Sequence, residues 1–239
     1  YYDKEYRRKF KDQLTNLEEE TPEEIYQTRC NYQYERINII QDYFDKEKSF
    51  LEIGCSAGQF LNQVKNKFGK LKGIELSKYV QNKWGISVYS EEISEIDWKG
   101  EMFDYIGFFQ VLEHIENPKL FLNNIHRRLS NEGKVFIEIP TLDDSLRKLW
   151  KIPAYEKFYY HEAHLNYFTE KSVRILLEEC GYKVNHIYYI QDYNILNHLY
   201  WYFRNEPQPT CVMGLDKPII NFEPEDEHLE IAAKKINEL

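Results

Sequence analysis

From Ser49 onward, apolar runs of strand length alternate with amphipathic stretches of helix length. Residues 50–53, 71–75, 87–89, 105–109 and 134–139 carry the apolar runs and predict five strands. Between them, residues 59–68, 78–84 and 118–129 have the spacing of helices. This alternation predicts an α/β fold, a doubly wound and mainly parallel sheet with helices on both faces. In such a sheet, ligands gather at the carboxyl ends of the strands, where the strand order reverses.

The flanks read differently. Residues 1–21 are rich in charge and tyrosine, with weak periodicity and neither Gly nor Pro, which predicts a loosely attached helical arm. Thr21 then has the character of an N-cap, with Pro22 at the first helical position and Glu23 and Glu24 where the helix dipole favours acids. Ile25, Cys30, Tyr34, Ile37 and Ile40 share one face of the helix that follows, so 1–48 is expected to form an N-terminal cap. Beyond Pro140, residues 141–167 are heavy in aromatics and lack a period, which predicts a lid facing the substrate. Thr169 and Gly181 bracket a helix reaching Cys180, and 182–190 alternates as a sixth strand. Residues 49–192 make up the expected sheet domain, and 193–239, with a helix at 194–203, a helical extension. The chain begins with Tyr1 rather than Met and has no convincing seventh strand, so a trimmed sequence is expected, with the missing partner beyond residue 239 or the sixth strand left as an edge.

Composition narrows the classes. The 239 residues carry 31 basic and 40 acidic side chains, a net charge of −9. No cluster of Lys and Arg outweighs its neighbouring acids, Arg7, Arg8 and Lys9 included, so binding of nucleic acid through phosphate neutralisation is not expected. Apolar residues make up 42%, enough for a sizeable core without a disulfide or metal staple. Cys30, Cys55, Cys180 and Cys211 are too widely spaced for a Cys-x-x-Cys site, and with no signal peptide a reducing cytoplasm is the expected setting. The longest mainly apolar stretch, residues 105–112, falls far short of the roughly 20 that cross a bilayer.

The sharpest chemical signal is Glu52-Ile53-Gly54-Cys55-Ser56-Ala57-Gly58-Gln59-Phe60, a predicted strand running through small residues into a predicted helix. Small residues let backbone approach a ligand closely, and a helix start offers free amide hydrogens to an anion. A dinucleotide fingerprint would need glycines at 54, 56 and 59, and Ser56 and Gln59 break it. A purely structural turn is the alternative. About 20 residues on, Glu75 ends the second predicted strand, where a carboxylate can accept both hydrogens of a ribose diol.

The spacing of Glu52, Gly54, Ser56 and Gly58 resembles the first motif of class I S-adenosylmethionine-dependent methyltransferases, with Ser56 in place of the more usual glycine. A negative φ is expected at Ser56, since serine tolerates the position on that condition. Phe103-Asp104-Tyr105-Ile106 and Gln110-Val111-Leu112-Glu113-His114-Ile115 resemble the family's fourth-strand signature, and Glu132-Gly133-Lys134 its lead into the fifth strand. His164-Leu165-Asn166-Tyr167-Phe168-Thr169 and Leu176-Leu177-Glu178-Glu179-Cys180-Gly181-Tyr182 look like the branch containing ubiquinone-type and surface-polysaccharide enzymes. The resemblance implies S-adenosylmethionine as cofactor, released as S-adenosylhomocysteine. It implies contacts from Glu52, Gly54, Cys55, Ser56, Gly58 and Phe60, ribose binding by Glu75 beside Leu76, and adenine binding by Glu92, or Glu91, beside Ile93. Gln110 is expected near the methionine part, and Asp104, at the far end of its strand, in a structural role.

A sulfonium already activates its methyl group, so the protein must supply alignment, exclusion of water and, for a hydroxyl acceptor, a base. His164 is the favoured base, His161 the second and His114 the least suited. Tyr155, Phe158, Tyr159, Tyr160 and Tyr167 are expected to line an acceptor pocket suited to sugars, or to serve as plain core. No metal site is expected; Asp143 and Asp144, the adjacent acids nearest the pocket, read as a helix cap. The expected reaction is methyl transfer, on oxygen, to a small polar molecule such as a capsule or lipopolysaccharide precursor, a sugar or a phosphoramidate. An NAD-dependent oxidoreductase and a non-catalytic cofactor-binding subunit are the alternatives, with oligomerisation through the arm or the extension left open.

Overall fold

A computed structural model describes residues 21–160, 162–190 and 195–205. They divide into two compact units, residues 21–141 with 162–185, and residues 142–160 with 186–190 and 195–205.

The first unit is built on a parallel sheet of β1 (Ser49–Ile53), β2 (Lys70–Ile74), β3 (Ser87–Tyr89), β4 (Phe103–Phe109) and β5 (Leu129–Glu138) in the order β3-β2-β1-β4-β5. The order reverses between β1 and β4, so the crevice for a ligand opens at their carboxyl ends. Side chains alternate across the sheet. Phe50 enters a core with Ile40, Phe60, Leu61, Phe68 and Val80, whereas Leu51 and Ile53 enter another with Ile74, Ile106, Phe108, Leu122 and Ile125. Helices α1 (Pro22–Arg29), α2 (Gln33–Ile40), α3 (Gln59–Gln63), α4 (Tyr79–Trp84), α5 (Pro118–His126) and α8 (Glu170–Glu179) complete this unit. In the second unit, α6 (Ser145–Lys148), α7 (Pro153–Tyr159) and α9 (Ile195–Arg204) enclose Leu146, Ile152, Tyr155 and Trp201.

Three expectations are corrected. The helix predicted from Pro22 to Ile40 breaks at 30–32, where the Gln33 side chain donates to the Arg29 carbonyl at 3.1 Å. Ile25 and Ile40 are still buried, but Tyr34 leaves the expected face and is 60% exposed. The helix predicted over 59–68 stops at Gln63 and continues as tight turns, with the Lys67 amide donating to the Val64 carbonyl. Residues 182–190 pair with no strand among the described residues, because Ile187–Ile190 lie exposed and find no ladder. The aromatic stretch 141–167 is divided between the two units, its helical part packing with α9. The arm at 1–20 and the extension beyond 205 lie outside the described residues. No helix among the described residues is long and apolar enough to cross a membrane.

Asp104 staples the amino ends of β1 and β4. Its carboxylate accepts from the Ser49 amide at 2.9 Å, the Ser49 hydroxyl at 2.8 Å and Lys48 Nζ at 3.0 Å. Partial burial works against the charge, yet the Ser49 and Lys48 bonds outweigh it and hold the carboxyl below its ordinary range. A depressed folded-state value means stability that is present above the ordinary Asp range and lost as pH falls through the lowered one. Asp104→Asn is expected to cost about 1.5–3 kcal/mol at pH 7, the range for bonds to a charged group, as read by urea unfolding. The gap to the unaltered protein should close toward pH 3; a gap unchanged with pH would refute the assignment.

Candidate functional site

After β1 the chain turns through residues 54–58 before α3 begins. The Gly54 and Cys55 amides both donate to the Ile74 carbonyl, at 2.8 and 3.3 Å, which fastens the turn to the end of β2. Gly54 and Gly58 have φ of +74° and +81°. A Cβ on Gly54 would lie 2.7 Å from Val111 Cγ2, and one on Gly58 3.1 Å from Trp84 Cδ1, so neither position has room for a side chain. The Trp84 indole also donates to the Ala57 carbonyl at 3.1 Å. Ser56, expected at negative φ, instead has φ +49°. Its amide donates to Glu75 Oε2 at 2.8 Å, a bond that holds the turn in a conformation L-residues disfavour.

Glu75 Oε1 accepts from the Leu76 amide at 3.0 Å, so the carboxylate stands at the lip of the turn, with Leu76 half-exposed beside it. Glu52, on β1, is only 4% exposed, and its Oε2 has no hydrogen-bond partner among the described residues. Burial raises its carboxyl to about 8; Arg36 pulls the other way, and Glu75 and Glu138 add to the rise. Arg36, from α2, donates to Glu138 at the end of β5 through Nε at 2.9 Å and Nη2 at 2.7 Å, and its guanidinium lies 4.1 Å from the centre of the Phe109 ring. Gln110 follows β4 with φ +57°, and its side chain donates to Glu138 at 3.2 Å.

Other expected contacts are redirected inward. Phe60 is 1% exposed and packs on Phe50 and Phe109 at centroid distances of 5.4 and 5.2 Å, so its side chain is core, unavailable to a ligand. Cys55 is likewise buried, and burial drives its thiol well above the ordinary range, so only its backbone faces the turn. The Ile93 side chain lies in the core and its carbonyl accepts from Trp98 Nε1 at 3.0 Å. Glu91 and Glu92 are exposed.

A second group forms past β4. Glu113 is fully buried, both its oxygens lack a hydrogen-bond partner among the described residues, and burial raises its carboxyl to about 7. His114 Nε2 lies 3.8 Å from Glu113 Oε1, its Nδ1 bonds the Ala163 carbonyl at 2.8 Å, and its ring meets that of His164 at 4.8 Å between centroids. Donor atoms of Glu113, His114 and His164 all lie within 4.8 Å of one another, a set that could hold one divalent cation, where the sequence suggested no metal. The Tyr167 ring lies 5.6 Å from that of His164, tilted by 56°, whereas Tyr155 is 2% exposed inside the second unit and is core. Asp144 caps α6 through the Leu146 amide at 2.8 Å. His161 lies outside the described residues. Beside Asn166, a cavity of about 660 Å³ is lined by Glu116, Asn117, Lys119 and Phe168. Sequence reasoning missed Arg36, Glu138 and the burial of Glu113; the Glu113-His114 pair was the only visible signal among them.

A methyltransferase-domain family profile matches residues 17–187. Protein MJ1123 of Methanocaldococcus jannaschii is 32% identical over 133 residues, 56% of this chain and 63% of that protein. The ubiquinone biosynthesis O-methyltransferase of Pseudomonas syringae is 26% identical over 123 residues, 47% of this chain and 50% of that enzyme. The chain therefore spans between half and two thirds of the length of these curated relatives. An S-adenosylmethionine-dependent methyltransferase structure from Archaeoglobus fulgidus covers 100% of this chain and 93% of its own, with TM-score 0.56 and 17% identity, a likeness of fold. Left-handed backbone costs an L-residue roughly 1–2 kcal/mol, and glycine gives back about 0.5–1 in chain entropy, so Ser56→Gly should raise the melting temperature by about 2–4 °C in calorimetry. A lower melting temperature would show that the serine side chain contributes more than its backbone costs. With the profile covering most of the chain and the turn at the β1/β4 switch point built as described, the chain belongs to the methyltransferase-domain family.

Proposed function

We propose that this protein binds S-adenosylmethionine at the β1 turn and catalyses methyl transfer to oxygen of a small polar acceptor. The observation that carries the reading is the Ser56–Glu75 hydrogen bond, which joins a turn of small residues, bounded by Gly54 and Gly58, to a carboxylate at its lip. The residues present fit the cofactor: Gly54 and Gly58 leave backbone bare, and the Glu75 and Glu138 carboxylates give the crevice a negative character suited to a cation. Glu75 would hold the ribose diol, Leu76 would cover one face of the base with Glu92 at its edge, and Arg36 and Gln110 would meet the methionine end. When bound, the sulfonium supplies a methyl group already activated for displacement.

The chain's own task is then to orient the acceptor, exclude water and take a proton from its hydroxyl. His164 is assigned that proton, backed by His114, whose Nδ1 the Ala163 carbonyl fixes, and by Glu113 behind it. The cavity of about 660 Å³ offers Glu116, Asn117, Lys119 and Asn166, partners for a hydroxyl-rich molecule such as a surface-polysaccharide precursor. Transfer to oxygen is supported by the Pseudomonas syringae relative, an O-methyltransferase.

Glu75→Gln should weaken S-adenosylmethionine binding about ten- to hundredfold in titration calorimetry, since the bond lost is to a charged acceptor; unchanged affinity would refute ribose binding there. His164→Ala should leave that affinity intact and lower S-adenosylhomocysteine formation about 10²–10⁴-fold on whichever hydroxylated precursor the unaltered protein accepts. Full turnover would exclude His164 as the base.

A further inference from the structure

We infer that Glu52 makes the site choose the cationic cofactor over its neutral product, by releasing a proton to solvent when the sulfonium binds and recovering one when the thioether is left. The inference rests on the cofactor reading above and concerns a residue to which that reading gives no chemistry.

The geometry leaves Glu52 Oε2 without a hydrogen-bond partner among the described residues. It sits on the central strand, in register with Gly73 on β2 and Gly107 on β4, so neither neighbouring strand sets a side chain against it. The charged and titratable groups that reach it are few. Arg36 comes from α2, Glu75 from the end of β2, Glu138 from β5, and the Cys55 thiol follows on its own strand. Arg36 is the single cation of the set, and it is held by Glu138 through two hydrogen bonds of 2.9 and 2.7 Å and by Gln33. Glu75 is held by two backbone amides. Glu52, 4% exposed and with an oxygen lacking any partner among the described residues, receives no such compensation.

Burial outweighs the pull of Arg36, which two hydrogen bonds commit to Glu138, so the carboxyl stays protonated, and the rise of its value to about 8 agrees. With all three acids ionised the crevice would hold three negative charges against one positive. A ligand bringing one more positive charge lowers the cost of ionising Glu52, so the bond that breaks is the carboxyl O–H and the proton leaves to buffer. Once the methyl group has gone, the sulfur is neutral and the carboxyl takes a proton back. Binding of the cationic form is therefore opposed by protons below about pH 8, and binding of the neutral form is not.

Calorimetric titration of the whole chain with S-adenosylmethionine and S-adenosylhomocysteine from pH 6 to 8 tests this. The sulfonium lowers the pKa of the amino group in S-adenosylmethionine, a contribution that Glu52→Gln shares and that is therefore removed by comparing the two proteins. The ratio of the two compounds' affinities should move toward S-adenosylmethionine by up to about tenfold more per pH unit in the unaltered protein than in Glu52→Gln. Infrared difference spectra of the unaltered protein give a readout that needs no variant: a protonated-carboxyl band should vanish with S-adenosylmethionine and persist with S-adenosylhomocysteine. A flat ratio in the unaltered protein, an equal slope in Glu52→Gln, or a band indifferent to the ligand overturns the assignment while leaving the cofactor reading standing. Failure of both compounds to bind at every pH overturns the two together.

Discussion

The hydrogen bond from the Ser56 amide to Glu75 ties together a turn of small residues and an acid at its edge. The turn hangs from the end of β2 through the Ile74 carbonyl, and β2 lies beside β1 in unbroken register from Ser49 to Ile53. A shift of that register by one residue would carry Glu75 to the other face of the sheet and leave the Ser56 amide without its acceptor. The packing beneath is what forbids the shift. Phe50 and Leu51 enter opposite cores and both are fully buried, so a slip would drive each into the wrong layer.

Electrostatics at the strand ends follow from the same arrangement. Backbone amides compensate Glu75 and Arg36 compensates Glu138, whereas among the described residues one oxygen of buried Glu52 and both of buried Glu113 lack a hydrogen-bond partner. Such groups cost stability wherever they carry charge, and proteins concentrate them where a ligand or a proton is to be handled. The two sit on separate stretches, Glu52 within β1 and Glu113 after β4, and serve separate ends of the assigned chemistry, cofactor charge and acceptor proton.

Much of this was legible in the chain because it is written locally. Strand-length apolar runs gave the five strands, small residues marked the turn from 54 to 58, and an acid one strand later marked Glu75. What stayed hidden depends on distance or on backbone angle. Arg36 and Glu138 are 102 residues apart, and no local pattern announces their pairing. The sign of φ at Ser56 is set by the bond to Glu75, and the inward turn of Phe60 by Phe50 and Phe109, neither of which serine or phenylalanine reveals alone. The alternation over 182–190 is real as a pattern, but a strand needs a neighbour, and periodicity says nothing about whether one is present.

The contact between Trp84 and the turn gives the molecule a built-in optical probe. Its indole nitrogen is bonded to the Ala57 carbonyl and its ring borders Gly58, so any ligand that pulls on that backbone changes the polarity the indole senses. Trp98 is buried in the core against Phe103, and Trp150 and Trp201 belong to the other unit, which leaves Trp84 as the fluorophore fastened to the turn.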